Sequence, residues 1–304
     1  MDRFEAMRSL LAAVDAGSLS AAARRTHVPL PTLSRRIADL ETHLGAPLLI
    51  RTSRKLHLTE AGEAFVTAAR RLLDDLDEAE RAAAGEYRAP RGELVVTAPL
   101  SFGRLHVAPV IHGFLAAYPE VDVRMILADH VIDLAESHVD VGVRIGRLPD
   151  SDLMARKLGD VSWVICGSPD YLSRRGVPGS PGELLQHDCV VLEGLPTARA
   201  WLVRDGGQER AVAIEPRFTV NSADAVVEAA LGGVGLARVV SYQAAAALAR
   251  GDLVPVLRRF WSAPFPVHLV HRSQRQQPLK VRAFLDYIFP RLSERLITIN
   301  RAVQ

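Results

Sequence analysis

The sequence predicts an α/β chain with an all-α winged helix-turn-helix at its N-terminus and two α/β lobes behind it. Three observations carry that class. Two short helical patterns meet at a break, His27-Val28-Pro29-Leu30, and are followed by a basic hairpin pattern at 48–59. A long helical pattern with one narrow apolar stripe then runs from Thr59 to about Tyr87. Beyond Ala89-Pro90-Arg91-Gly92, strand-like and helix-like segments alternate through the remaining chain.

Residues 3–16 read as a first helix with Phe4, Met7, Leu10, Leu11 and Val14 facing a core. In the second, Ser18 or Ser20 accepts from the free amides of the opening turn, and Ala21–Ala23 allow close helix approach. Pro31 suits the first turn of the third helix, where its missing N–H costs nothing. There Leu33, Ile37, Leu40 and Leu44 recur at helical spacing and face the core, leaving Ser34, Arg35, Arg36 and Asp39 off the stripe. An exposed helix opening Pro-Thr-x-Ser-Arg-Arg fits a major groove, with short polar groups near base edges and arginines reaching guanine or phosphate. Taken alone, the pair reads equally as an amphipathic surface hairpin with solvated arginines. The next stretch, Leu48 to Thr59, tips the balance: it is a two-stranded wing with Arg51, Arg54 and Lys55 at its tip, placed to track phosphates.

Thr59 caps the long helix. Phe65, Ala69, Leu72, Leu76, Ala79 and Ala83 step by four and three, a heptad seam inside a charged shell. The seam suits pairing with a second copy, since a groove-reading helix works in symmetric pairs; packing on its own chain is the other reading.

In the third part, strands are expected at Glu93–Ala98, Val121–Leu127 and Asp140–Ile145, with helices at Phe102–Tyr118 and Val131–Ser137, which makes a parallel sheet. Val161–Cys166 begins a second set. It contains helical pieces near 169–175 and 181–186, a strand at Cys189–Leu192 and a hairpin turning at Asp205-Gly206-Gly207. A strand at 217–220, a helix at 222–232, a strand at 234–237, a helix at 241–249 and a strand at 253–257 follow. Val267–His271 and a helix from Leu279 to about Ile297 return to the first sheet. Two lobes with a double crossing, near 159–163 and near Pro264-Phe265-Pro266, resemble the periplasmic-binding-protein architecture.

Ala-Gly-Ser-Leu-Ser-x-Ala-Ala at 16–23, Leu-Ser-Arg-x-Ile-x-x-Leu-Glu at 33–41, Leu-Gly-x-x-Leu-Leu-x-Arg at 44–51 and Leu-Thr-x-Ala-Gly at 58–62 together resemble the LysR-type transcriptional regulators. The likeness is tight over the first sixty residues and looser beyond. The resemblance implies a DNA-binding domain at 1–58, a linker helix at 59–88 through which subunits pair, and an effector-binding domain at 89–304. Its first lobe takes in about 92–160 and 266–297, its second about 161–265. It implies dimers or tetramers on interrupted palindromes, with RNA polymerase as a further candidate partner. Leu30-Pro31 departs from the Gln-Pro or Gln-Ser of many members, so a base-reading amide is missing there.

The expected duplex contacts are Ser20, Pro31, Thr32, Ser34, Arg35 and Arg36, with Arg51 and Arg54 from the wing; the expected pairing seam is Phe65, Ala69, Leu72 and Leu76. Ligands of open sheets bind beyond strand C-termini. That selects Ser101 and Phe102, Asp129 and Arg144 from one lobe, and Asn221 and Ser222 from the other. Ser101 at a helix start beside free amides suits a carboxylate, and the resemblance raises it further. Ser101 and Ser222 read equally as plain caps. Arg144 and Arg147 favour an anionic effector or pair with Asp150 or Asp152.

Composition sets bounds. The net charge of +2 does not by itself mark a nucleic-acid binder, but residues 1–60 carry nine Lys/Arg against six Asp/Glu. The charged start Met1-Asp2-Arg3-Phe4-Glu5 is no signal peptide, and no apolar run suffices to cross a membrane, so a cytoplasmic protein is expected. Cys166 and Cys189 are two buried thiols or a redox pair. There is no Gly-x-Ser-x-Gly, no phosphate-loop motif and no metal-ligand histidine spacing, so no catalytic residue, metal or cofactor is expected. The rival reading is a ligand-binding module that acts through protein partners.

Overall fold

A computed structural model describes residues 1–51, 56–83, 89–194, 199–273 and 277–303. It divides into two compact units, Met1–Glu93 and Leu94–Gln304.

The first unit opens with α1 (Arg3–Ala16), capped by the Asp2 carboxylate on the amides of Phe4 and Glu5. Its buried stripe is Ala6, Ser9, Leu10 and Ala13, one step round from the expected one; Phe4 is 47% exposed. Small residues win that face because other helices crowd onto it. Then come α2 (Leu19–Thr26) and α3 (Leu30–Leu44), separated by His27 in the left-handed region at φ 55°. Ser18, not Ser20, caps α2, accepting from the Ala21 amide at 3.1 Å. Leu33, Ile37 and Leu40 are buried as expected, but Leu44, the last helical residue, is exposed.

The wing strands β1 (Leu49–Arg51) and β2 (Leu56–Leu58) pair antiparallel. Glu41 of α3 accepts from the amides of Leu48 and Leu49, so the recognition-type helix anchors the hairpin. Helix α4 (Glu60–Ala83) starts where Thr59 Oγ1 accepts from the Gly62 amide at 2.9 Å. Gly62 is there for space: a Cβ would run into the Leu48 carbonyl. Along α4, Val66, Ala69 and Leu73 are buried within their own unit, and Arg8–Asp77 and Arg70–Asp15 ion pairs tie it to α1.

The second unit holds two five-stranded sheets. Its chain runs β3 (Gly92–Ala98), α5 (Leu100–Phe102), a π turn at Gly103–Val107, α6 (Ala108–Ala117), β4 (Val121–Leu127), β5 (Val141–Ile145) and β6 (Leu153–Val161). After Ser162 come β7 (Trp163–Gly167), α7 (Pro169–Arg175), a 3-10 turn at Pro181–Gln186, β8 (Asp188–Leu192), β9 (Ala200–Asp205), β10 (Gln208–Ala213) and β11 (Glu215–Val220). Next are α8 (Ala223–Leu231), β12 (Leu236–Val240), α9 (Ser241–Arg250) and β13 (Val254–Val256), then β14 (Phe265–Arg272) and α10 (Leu279–Val303).

The first sheet has the order β4-β3-β5-β14-β6 and the second β11-β8-β12-β7-β13. The first, expected to be parallel, is mixed, and so is the second. β3 and β5 run parallel, but β14 is antiparallel to β5 and β6; β12 is parallel to β8 and antiparallel to β7. Of the strands that flank a crossing, β14 and β7 enter their sheets against the βαβ direction, whereas β6, antiparallel to β14, shares the direction of β5. In place of the helix expected at 131–137 there is a single turn at 134–138: Asp133 caps it, accepting from the amides of Ala135 and Glu136, and His138, left-handed at φ 52°, ends it.

Helix α10 packs Val281, Phe284, Ile288, Leu292, Leu296 and Ile299 into the first lobe's core, which also takes in Val240, Tyr242 and Ala245. Its end, six residues beyond the expected one, places Val303 in the core of the second lobe. One continuous packing surface thus joins the lobes at their base.

Candidate functional site

On the first unit, α3 presents Pro31, Thr32 and Arg35 to solvent, with Ser34 half-buried and Ser20 of α2 exposed. Arg35 has no ion pair or hydrogen bond to the described residues. Arg36 differs: its guanidinium pairs with Glu5 of α1 at 2.9 Å, so it braces two helices instead of standing free on the outer face. Arg51 lies on β1, but its side chain is outside what is described, and so is Arg54. The face that remains is polar and carried by a helix with proline in its first turn, the form that enters a major groove.

Of the expected pairing seam, Leu72 is 52% exposed and Leu76 half-buried. Ala69 is fully buried in its own unit, so it is not offered to a partner, while Phe65 packs against that unit's core and is half-buried. The side chains of Ala79 and Ala83 lie outside the described residues.

The second unit places its candidates around one junction. Asp129, in the loop after β4, accepts from the Leu100 amide at 2.9 Å. The helix start expected to receive a ligand carboxylate is thus capped by the chain's own. Ser101 is buried and points at Asp224 of α8, Oγ to Oδ1 3.4 Å. Arg104 of the π turn reaches the same carboxylate at 2.7 Å. Asp224 therefore bridges the lobes. Ser222 is a cap, accepting from the Ala225 amide, and Asn221 is exposed. Phe102 is fully buried: its ring meets Tyr242 of α9 edge-on at 5.1 Å, so it builds the core rather than touching a ligand. Arg144 donates to the Ile132 carbonyl at 2.7 Å and the Val143 carbonyl at 3.2 Å. It clamps the 131–138 turn instead of pairing with Asp150 or Asp152.

Arg104, Asp224, His106 and Tyr242 escape sequence reasoning, because nothing in spacing tells which residues two lobes bring together. His106 lies between Phe102 and Tyr242, its Nε2 3.4 Å from the Tyr242 carbonyl. Burial pulls its pKa below the ordinary value, the carbonyl opposes this, and Arg295 adds to the lowering. Burial, with Asp129 and Asp224 nearby, pushes the Tyr242 phenol up.

Both cysteines are free and buried, on opposite faces of the second sheet with β12 between their strands. Burial pushes each thiol to about 12, so neither supplies a thiolate at neutral pH.

Family comparisons agree with this geometry. Residues 4–63 match the bacterial regulatory helix-turn-helix proteins of the lysR family, and residues 88–293 match the LysR substrate binding domain. The chain belongs to the LysR-type transcriptional regulators. An HTH-type transcriptional regulator of Xanthomonas campestris is 36% identical over 92% of this chain and 83% of its own length. An HTH-type transcriptional repressor of Pseudomonas aeruginosa is 32% identical, covering 97% of this chain and 93% of its own. Among solved structures, CrgA, a LysR-type regulator from Neisseria meningitidis, superposes with a TM-score of 0.61 at 31% identity, over 96% of this chain and 98% of that one. AphB, the Vibrio cholerae virulence activator, gives 0.61 at 30% identity, over 94% and 98%. This LysR-type regulator is thus a DNA-binding protein with an effector-binding domain, in a family of transcription regulators rather than enzymes. No helix among its described residues is long and apolar enough to cross a membrane.

Proposed function

We propose that this regulator binds an interrupted palindromic operator as a symmetric homo-oligomer in the cytoplasm, and that a small anionic molecule between the lobes alters that binding. Residues 1–58 read DNA, 59–88 pair subunits and 89–304 sense the effector. Pro31, Thr32, Ser34 and Arg35 approach the bases, Ser20 lies beside them, and Arg51 and Arg54 follow the backbone from the wing. RNA polymerase is the partner through which activation would act.

The observation that carries the sensing role is the Asp224 bridge. One carboxylate holds Ser101 and Arg104 across the cleft, so a ligand that competes for these groups shifts the balance between lobe positions. Such a shift is the differential interaction that allostery requires. Mapping the protein's binding sites on its own genome, then measuring operator affinity with metabolites of the flanking genes, tests the reading. A metabolite that changes operator affinity in the wild type and needs a higher concentration in Ser101→Ala supports it. A Ser101→Ala protein with an unaltered response removes Ser101 from the site.

A further inference from the structure

Three exposed apolar residues in a row, Pro29, Leu30 and Pro31, make up the leading end of α3. Leu30 is 41% exposed. It continues the side of the helix that carries Leu33, Ile37 and Leu40, but those three are sealed in the core, and Leu30, nearly one turn ahead of Leu33, runs out past it. Pro29 stands at the N-cap, where a polar side chain ordinarily takes a free amide, and makes no such bond. The tip therefore offers no side-chain donor or acceptor until Thr32. The two prolines also fix φ on either side of Leu30, so the leucine is held out at little ordering cost.

The place of this tip gives it a partner. Helix α3 is the second helix of the helix-turn-helix, the one that lies in the major groove with its N-terminal residues on base edges. In that groove guanine, adenine and cytosine offer hydrogen-bonding groups and no methyl, whereas thymine adds its C5 methyl. An apolar side chain set against the first three leaves their polar groups without water or partner, which costs free energy. Set against thymine, it buries the methyl instead.

We propose that Leu30 is a specificity-determining residue that reads the C5 methyl of a thymine in each operator half-site. The inference rests on the DNA-reading role given to α3 above and names the base that its tip selects. It also gives a use to the departure of Leu30-Pro31 from the Gln-Pro of many family members. An amide pairs with adenine; an apolar reader in the same place turns the preference to thymine.

The test uses the full-length protein and an operator selected from a random duplex library. Each thymine of one half-site is replaced in turn by uracil, which keeps O4 and loses only the methyl. At one or more positions wild-type affinity should fall about fourfold, the worth of one buried methyl. The same replacement should cost Leu30→Ala nothing. In the wild type, 5-methylcytosine at that position should bind more tightly than cytosine. Leu30→Gln should lose the preference for thymine there and gain one for adenine. Without DNA both variants should melt close to wild type, since the side chain is exposed. The uracil scan is read on the wild type, so it stands whether or not a variant folds. Indifference of the wild type to uracil at every position overturns the assignment. So does an equal uracil penalty in Leu30→Ala, which moves the methyl contact to another residue. An operator bound with sequence preference but without sensitivity to the methyl removes Leu30 and leaves the DNA-reading role standing. A protein that selects no duplex sequence overturns both.

Discussion

Arg35 and Arg36 are neighbours in sequence, and one step round α3 gives them different work. Arg36 meets Glu5 while Arg35 stays exposed. The pair is half-exposed, so Arg36→Ala should cost at most about 1 kcal/mol of stability, read from denaturant midpoints, and should leave the salt dependence of operator binding unaltered. Arg35→Ala should weaken operator binding. If its contact is a phosphate, the slope of log affinity against log salt should flatten by about one; if it is a guanine, the loss should be confined to one base-pair position. An Arg35→Ala protein with wild-type affinity for every operator variant would take Arg35 off the DNA. Phe102 shows how residue-scale reasoning fails. Its neighbour Ser101 faces Asp224 of the other lobe, while Phe102, one position on, belongs to the core; a loop-end rule selects both and cannot separate them.

At the scale of elements, periodicity found the helices well but misjudged their faces. Residues 3–16 form a helix with the expected ends, yet Ala6, Ser9 and Ala13 line its buried side, because close helix packing rewards small residues that a hydrophobic stripe ignores. β6 gave no signal at all. It is an edge strand whose Met154, Ala155, Arg156 and Lys157 face solvent, so its order comes from pairing with β14 and from Arg156 lying over the Phe289 ring. The 131–137 segment has helix-like spacing and a capping Asp133, but His138 in the left-handed region stops it after one turn. Helix α4 is the instructive case. Its stripe is real but serves two surfaces: Val66, Ala69 and Leu73 pack inward, while Leu72 remains 52% exposed. The two surfaces respond to different substitutions. Leu72→Asp should leave the unit folded and shift sedimentation toward monomer, whereas Ala69→Asp should destabilise the unit itself, because it buries an unpaired carboxylate. A Leu72→Asp protein of unchanged mass would move subunit pairing to the effector-binding domain.

Among the described residues of the effector-binding unit, the edge-on His106–Tyr242 contact and the Asp224 bridge connect the lobes. The first makes stability pH-dependent. Burial holds His106 below the ordinary 6.5, so the unfolded chain takes up its proton at a higher pH than the folded one. Stability attributable to this group is intact above 6.5 and is lost as pH falls below it, down to the folded value. The melting temperature should therefore drop as pH falls below 6.5, and drop less in His106→Gln; His187 and His268, lowered by burial, contribute in the same sense.

The Asp224 bridge acts on geometry more than on stability. Its ion pair with Arg104 is partly exposed, so it adds little free energy. It is nevertheless the charged contact that pins the rim of the cleft in this arrangement. Asp224→Asn keeps the shape of the side chain and removes the charge that attracts Arg104. The expected result is a small change in melting temperature with a wider distribution of lobe angles, seen as a larger radius of gyration by X-ray scattering from the protein without ligand. Operator affinity in the absence of effector should move in the same direction as the effector moves it in the wild type, because both release the same contact. Scattering and operator affinity that both match the wild type would show that the bridge does not govern lobe position.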